Sequence, residues 1–288
     1  SLLNTNSEPR EIVIEFNTGA TVTMTLAAFE HSDFTVKSLF GGETPAGIAS
    51  AVIRNADGVI GLELFGSTDT SSNSYLSGIL LTDDAALDIY YPHVVSGVNW
   101  WTGIAAYNPA DTVTTLNITT YGEDGGLIGT NSLDLAAREK FIGTAASLGF
   151  PGEAAWFSID ASAPITGFEL FGTTNGQQLG GYTGVNIQKT EGVFAKIEND
   201  GWTGIAFVNI EDEGAAVTMS AYNDSGTLIA SEVLDLAAHE KVMGLAHELF
   251  TNDIASATYI DFSSSGNVVG FQLNGSSDDM MLDGLPGM

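Results

Sequence analysis

The chain is 288 residues long and carries 8 lysines and arginines against 36 aspartates and glutamates, a formal charge of −28 at neutral pH, with no cysteine. Such a surface repels polyphosphate, which binds through clustered Lys and Arg, and it is repelled by anionic membrane surfaces, so neither is an expected partner. Disulfides, thiolate nucleophiles and Cys-ligated metals are ruled out, while 44% apolar and only 15% charged residues point to a packed globular chain.

No run of about 18 apolar residues is present for a membrane-spanning helix, and residues 1–10 lack the basic start and apolar block of a signal peptide. In the first third, Ile12 and Ile14 alternate with Val13 and Glu15, the period-two pattern of a strand half exposed to water. Leu26-Ala27-Ala28 and Leu39-Phe40 follow, and residues 61–66 read as a strand before a turn carrying Leu76 and Gly78. In the middle third, residues 87–94 and 100–107 read as two aromatic and β-branched strands joined at Ser96-Gly97. Leu116 and Ile118 then alternate with Asn117 and Thr119, and Asp124-Gly125 supplies the positive-φ residue of a tight hairpin. Two further strands are predicted around 156–159 and 165–171, with Phe168 and Leu170 facing one way and Gly167 and Glu169 facing outward. In the last third, Val242, Leu245 and Leu249 stand at i, i+3 and i+7, which predicts a helix of two or three turns over 240–250.

These elements repeat. Trp101-Thr102-Gly103-Ile104-Ala105 recurs 101 residues on as Trp202-Thr203-Gly204-Ile205-Ala206, and each run is followed by Asn108 or Asn209. Leu133-Asp134-Leu135-Ala136-Ala137 returns as Leu234-Asp235-Leu236-Ala237-Ala238 at the same offset. The Gly-Phe-Glu-Leu-Phe-Gly run at 167–172 returns at 270–275 as Gly-Phe-Gln-Leu-Asn-Gly, and a diverged copy stands at 61–66. Leu76, Leu179 and Leu282 are each 103 residues apart. The first copy lacks an N-terminal hairpin, which predicts that the chain is a fragment of a longer protein.

About seven short strands with turn signals every 8 to 12 residues fit an antiparallel β-sandwich and are too many for a propeller blade. The predicted fold is therefore all-β: tandem sandwich modules of about 100 residues, each with one short helix, over 1–82 (incomplete), 83–187 and 188–288. The combination of Tyr91-Pro92-His93-Val94, Trp101 to Ala105, Asn108-Pro109, Tyr121, Asp124-Gly125, Leu135, Lys140 and Leu148 resembles a repeat of exported, mostly uncharacterised bacterial surface proteins. That resemblance implies extracellular or cell-surface all-β modules and brings no catalytic residues with it. Ala195-Lys196, standing where Pro92-His93 would recur, departs from the pattern.

The search for chemistry is largely negative. His31, His93, His239 and His247 do not recur between copies, since the His239 position is Arg138 and Phe29 elsewhere. On a helix, His239 and His247 would lie about 12 Å apart, too far to share one ion. The Glu63, Glu169, Gln272 position reads as a solvated or ion-paired face, because an amide cannot transfer protons. Lys140 and Lys241 read as local partners of Glu139 and Glu240. No metal site is predicted; the acidic loops at 69–73, 123–124, 211–213 and 278–279 offer hard oxygen ligands for weak calcium binding but lack the spacing of a dedicated calcium loop. Tyr90, Tyr91, Trp100 and Trp101 crowd one hairpin, and exposed rings there would stack on sugars. Trp101 reads as core, and Trp100, with the opposite direction and Gly201 as its counterpart, as the exposed contact. The sequence thus favours a non-enzymatic extracellular structural or adhesive protein with a glycan or protein partner. The alternative is a carbohydrate-binding module at 90–101 using Tyr90, Tyr91 and Trp100.

Overall fold

A computed structural model describes residues 1–66, 75–95, 97–186, 188–278 and 281–287. The first third forms β1 (Leu2–Asn4), β2 (Arg10–Phe16), β3 (Thr21–Leu26), β4 (His31–Ser32), the one-turn helix α1 (Val36–Leu39), β5 (Ala51–Arg54), β6 (Val59–Gly66) and β7 (Leu76–Leu80). The middle third forms β8 (Ala86–Tyr91), β9 (Trp100–Tyr107), β10 (Thr114–Tyr121), β11 (Leu127–Leu135), β12 (Lys140–Thr144), β13 (Trp156–Thr173) and β14 (Leu179–Thr183). The last third repeats that series as β15 (Lys189–Phe194), β16 (Gly201–Asn209), β17 (Ala215–Tyr222), β18 (Leu228–Leu236), β19 (Lys241–Leu245), β20 (Tyr259–Ser276) and β21 (Leu282–Pro286). The fold is all-β and antiparallel throughout.

Where two strands were predicted at 156–171, one 18-residue strand crosses between two layers. The first half of β13 pairs with β10 and β8, and its second half with β9 and β14. The layers are therefore β11-β10-β13-β8 and β12-β9-β13-β14. The register shifts between Asp160 and Ile165, and Pro164 sits in that gap, where the ladder needs no donor. β20 does the same between β17-β15 and β16-β21. In the first third the long strand is broken into β5 and β6, with Asn55 (φ 59°) and Gly58 (φ 71°) at the break. Among the described residues β5 pairs only with β2, so one edge carries no counterpart of β8 or β15.

Two buried devices recur three times and show why the repeated residues are kept. Asn4, Asn108 and Asn209 are fully buried, and each amide nitrogen donates to carbonyls of two separate loops: Glu8 and Ala27, Thr112 and Ala136, Glu213 and Ala237. The second loop turns on Phe29, Arg138 or His239, each in the left-handed region at φ 57–61°. Glu30, Glu139 and Glu240 hold that turn by accepting from the amides of Ala27, Ala136 and Ala237.

The helix expected over 240–250 is instead β19 followed by a single 3-10 turn, Ala246–Glu248. The edge of β16 takes Lys241 to Leu245 as a strand, Gly204 pairing with Leu245 and Val208 with Lys241. Val242 and Leu249 still pack on the core, from strand and turn, so a three-four spacing arises without a helix.

The apolar interiors of the middle and last thirds merge. One cluster joins Ile89, Tyr91, Ile104, Phe157, Phe171 and Tyr182 to Ala206, Phe271 and Leu282 of the last third, with Trp202 and Leu273 packed against it. Copies arranged as beads would not share a core. The outer face of the layer containing β16 and β21 covers the inner face of the layer containing β9 and β14, so successive repeats nest.

Candidate functional site

In β9, Thr102, Ile104 and Ala106 face the sandwich core, which puts Trp100 on that same inward side. Trp100 is partly buried against the core, and Trp101 lies on the opposite face, its ring flat over Gly172. The sequence reading of these two tryptophans is thus reversed, because the inward phase is set by Thr102 and Ile104 and not by the larger ring. Trp202 lies over Gly275 in the same way. A Cβ on Gly275 would stand 2.2 Å from the Trp202 ring, so a glycine is required beneath each tryptophan.

Tyr91 is fully buried, stacked on Phe157 with centroids 4.4 Å apart, and presents no ring to a ligand. Desolvation, with Glu169 nearby, drives its hydroxyl pKa far up. Tyr90 is half-buried; its backbone pairs with Val185 and its hydroxyl accepts from the Gln188 amide at 3.2 Å. The structure does not bring Tyr90, Tyr91 and Trp100 together as an exposed platform.

A buried polar cluster forms where the middle and last repeats meet. Lys241, only 5% exposed, leaves the first position of β19 and reaches back into the preceding repeat. Its ammonium donates to the Ala155 carbonyl at 2.9 Å and to His93 Nδ1 at 2.9 Å, which places the imidazole proton on Nε2. Desolvation and the lysine charge hold His93 neutral, and its ring stacks on Phe271 with centroids 5.7 Å apart. Glu169 is completely buried and accepts from the Tyr182 hydroxyl at 2.8 Å, so the outward placement expected for it is wrong. It lies opposite Ile104 across the ladder, and Ile104 is a core residue.

Burial lowers the Lys241 pKa to about 8, against the opposing pull of Glu169 and Glu123. Burial also pushes the Glu169 carboxyl well above its usual range, opposed by the Tyr182 hydrogen bond and by Lys241. Both shifts are desolvation effects on charges that only partly compensate each other. The cluster opens on a cleft of about 780 Å³ lined by His93, Glu123, Glu153, Lys241 and Met243.

The lysine tie has a second copy. Lys140, at the equivalent position of β12, donates to the Ala49 carbonyl of the first third, and Glu63 lies near enough to support its charge. At Gln272, the third position of the Glu63, Glu169 series, an amide nitrogen donates to the Lys196 carbonyl and to Asn274. The sequence reading had confined both lysines to their own loops; their signal was that two of only eight cations occupy one repeat position.

The histidines expected at the surface divide. His31 is exposed beside Ser1 and Asp33, whereas His239 contacts Asp212 at 3.0 Å and the Tyr121 ring. Among the described residues no group of three His, Cys, Asp or Glu side chains is placed to hold a metal ion, and no helix is long and apolar enough to cross a membrane. The acidic stretch 69–73 and Asp279 lie outside the described residues.

No protein-family model matches this sequence, and no curated protein does. Among solved structures, Thermotoga maritima 1070 aligns over 35% of this chain and 95% of its own at 15% identity and a TM-score of 0.30. PBSX exported protein XepA covers 79% of this chain and 95% of its own at 13% identity and a TM-score of 0.23. A tetra-tandem repeat from the extending region of a large adhesion protein covers 98% of this chain and 66% of its own at 12% identity and a TM-score of 0.16. Likenesses at these scores carry no argument about activity.

Proposed function

We propose that this chain is a non-enzymatic structural segment of an extracellular surface protein, a stack of sandwiches whose polar residues hold repeat to repeat and whose acidic exterior faces the medium. The observation that carries this reading is the use of Lys241. A buried amine with a pKa near 8 is also what a nucleophilic lysine would show, but its hydrogen bonds are directed to the Ala155 carbonyl and His93 Nδ1, both in the preceding repeat. The same residue type makes the same tie at Lys140 and Ala49, as a structural role requires and a single active site does not. The test is a screen of esters, peptides and glycosides with the wild-type chain and Lys241→Met. No turnover is expected from either, and turnover lost in the variant would refute the reading.

One observation favours a second reading, glycan binding. Trp101 is partly exposed and lies flat on the sheet over Gly172, a geometry that suits stacking on a sugar face. A glycan array that gives a signal for the wild-type chain and none for Trp101→Ala would support it; equal profiles would remove it.

A further inference from the structure

The leucine at the start of the last strand of each repeat is 7% exposed at Leu179 and 5% exposed at Leu282, but 70% exposed at Leu76. Its neighbours on the same sheet face follow suit. Leu62 and Leu64 stand where the last repeat has Phe271 and Leu273, and Leu64 is 54% exposed, with Ile60 and Leu80 beside it at 55% and 60%. This is the face that, in the last repeat, is buried against the repeat before it. There Phe271 enters a ring cage of His93, Phe171 and Tyr182 at centroid distances of 4.6–5.8 Å, and Leu282 lies on Gly180.

The last repeat does not offer that cage. The positions of His93, Phe171, Gly180 and Tyr182 are Lys196, Asn274, Asp283 and Leu285 there. Lys196 is paired with Glu198 at 2.6 Å, and Asn274 is held by Thr203 and Gln272. Charged and amide groups in place of rings leave this face without a seat for an apolar outer sheet, the polar character that a capping repeat shows.

We propose that the exposed leucine face of β6 and β7 is a docking surface for one further sandwich repeat of the middle type, one whose inner face carries the aromatic cage, and that the last repeat is a cap that denies this face to a second copy of the chain. The occupant is argued from the chain's own junction: the same face is already covered by such a cage at Phe271, and Leu62, Leu64 and Leu76 repeat its apolar chemistry. The inference rests on the stack of nested repeats described above, not on the surface location or the lack of catalysis.

The test converts the cap. The full chain carrying Lys196→His, Asn274→Phe, Asp283→Gly and Leu285→Tyr should associate head to tail, giving concentration-dependent species beyond a dimer in sedimentation velocity, because a heterologous contact propagates into rings or open chains and does not stop at a closed dimer. Adding Leu76→Asp should return it to a monomer, and the wild-type chain should remain monomeric at the same concentration. Should the quadruple variant fail to fold, a lengthened chain with residues 83–187 placed ahead of residue 1 gives a second readout. The protein has no cysteine, so Leu76→Cys is a single label site, and its maleimide labelling should slow at least tenfold in the lengthened chain. Unchanged labelling there, a folded quadruple variant that stays monomeric, or wild-type self-association abolished by Leu76→Asp would each overturn the proposal. Urea unfolding read by the tryptophan emission of the whole chain reports separately whether the fold that holds the existing middle-to-last junction is intact.

Discussion

Replacing Lys241 with methionine separates the charge of the inter-repeat tie from its bulk. The folded protein lowers this amine from its ordinary value of 10.5 to about 8, so between those values the unfolded chain binds the proton and the folded chain does not. Stability therefore rises with pH across that window, and below pH 8 the folded state carries the full penalty of a buried ammonium. Two and a half units correspond to about 3 kcal/mol. Methionine removes that penalty and forfeits the bonds to Ala155 and His93, but the Ala155 carbonyl keeps its bond from the Val94 amide. At pH 7 the variant should accordingly lie within about 1 kcal/mol of wild type, since a hydrogen bond to a charged group offsets roughly 1.5–3 kcal/mol. The assay is urea unfolding read by tryptophan fluorescence at pH 7, 8, 9 and 10. Tyr91 and Tyr182, both with raised pKa values, bear on wild type and variant alike, so the difference between the two isolates the lysine. Wild type should gain about 2 kcal/mol on the variant between pH 8 and 10. Parallel profiles would show that Lys241 is not the buried, desolvated group described here.

Glu169→Gln should be tolerated, because Gln272 already occupies the matching site and an amide oxygen can accept from Tyr182. The folded carboxyl titrates well above 4.5, so the wild type loses stability as pH rises through that value toward neutrality, and unfolding between pH 4.5 and 7 should show this loss flattened in the variant. Gly275→Ala forces a methyl group into the Trp202 ring; it should cost about 1–3 kcal/mol in urea unfolding and shift the tryptophan emission, whereas Gly226→Ala, with open space at its Cβ but φ 75°, should leave the emission unchanged. Asn209→Ala leaves the Glu213 and Ala237 carbonyls without their buried donor, and thermal unfolding should report a loss of about 1–3 kcal/mol.

The scaffold was legible because its residues obey strict periodicity. Ile12, Ile14, Leu116, Ile118, Val217 and Met219 are buried as their alternation requires, and Asn108 and Asn209 stand out because a buried amide clamp permits no substitute. The crossing of β13 was not legible, because Pro164 and the polar residues around it read as an interruption while the chain uses them to change layers. Trp100 and Trp101 were misplaced for a related reason: two rings in succession give no phase, which is set by Thr102 and Ile104 further along. The inter-repeat cluster was hidden most deeply. Glu169 and Lys241 resemble surface charges when each repeat is considered alone, and their burial follows only from nesting one repeat's outer sheet on the inner sheet of its neighbour.

Phe271→Ala tests that nesting most directly. The substitution lies in the last repeat but should remove about 3–5 kcal/mol from a core shared with the middle one. Native-state hydrogen exchange should therefore show amides of β9 and β13, around 104–106 and 169–171, losing protection together with those of β16 and β20. Protection lost in 188–288 alone, with the middle repeat unchanged, would contradict a shared interior.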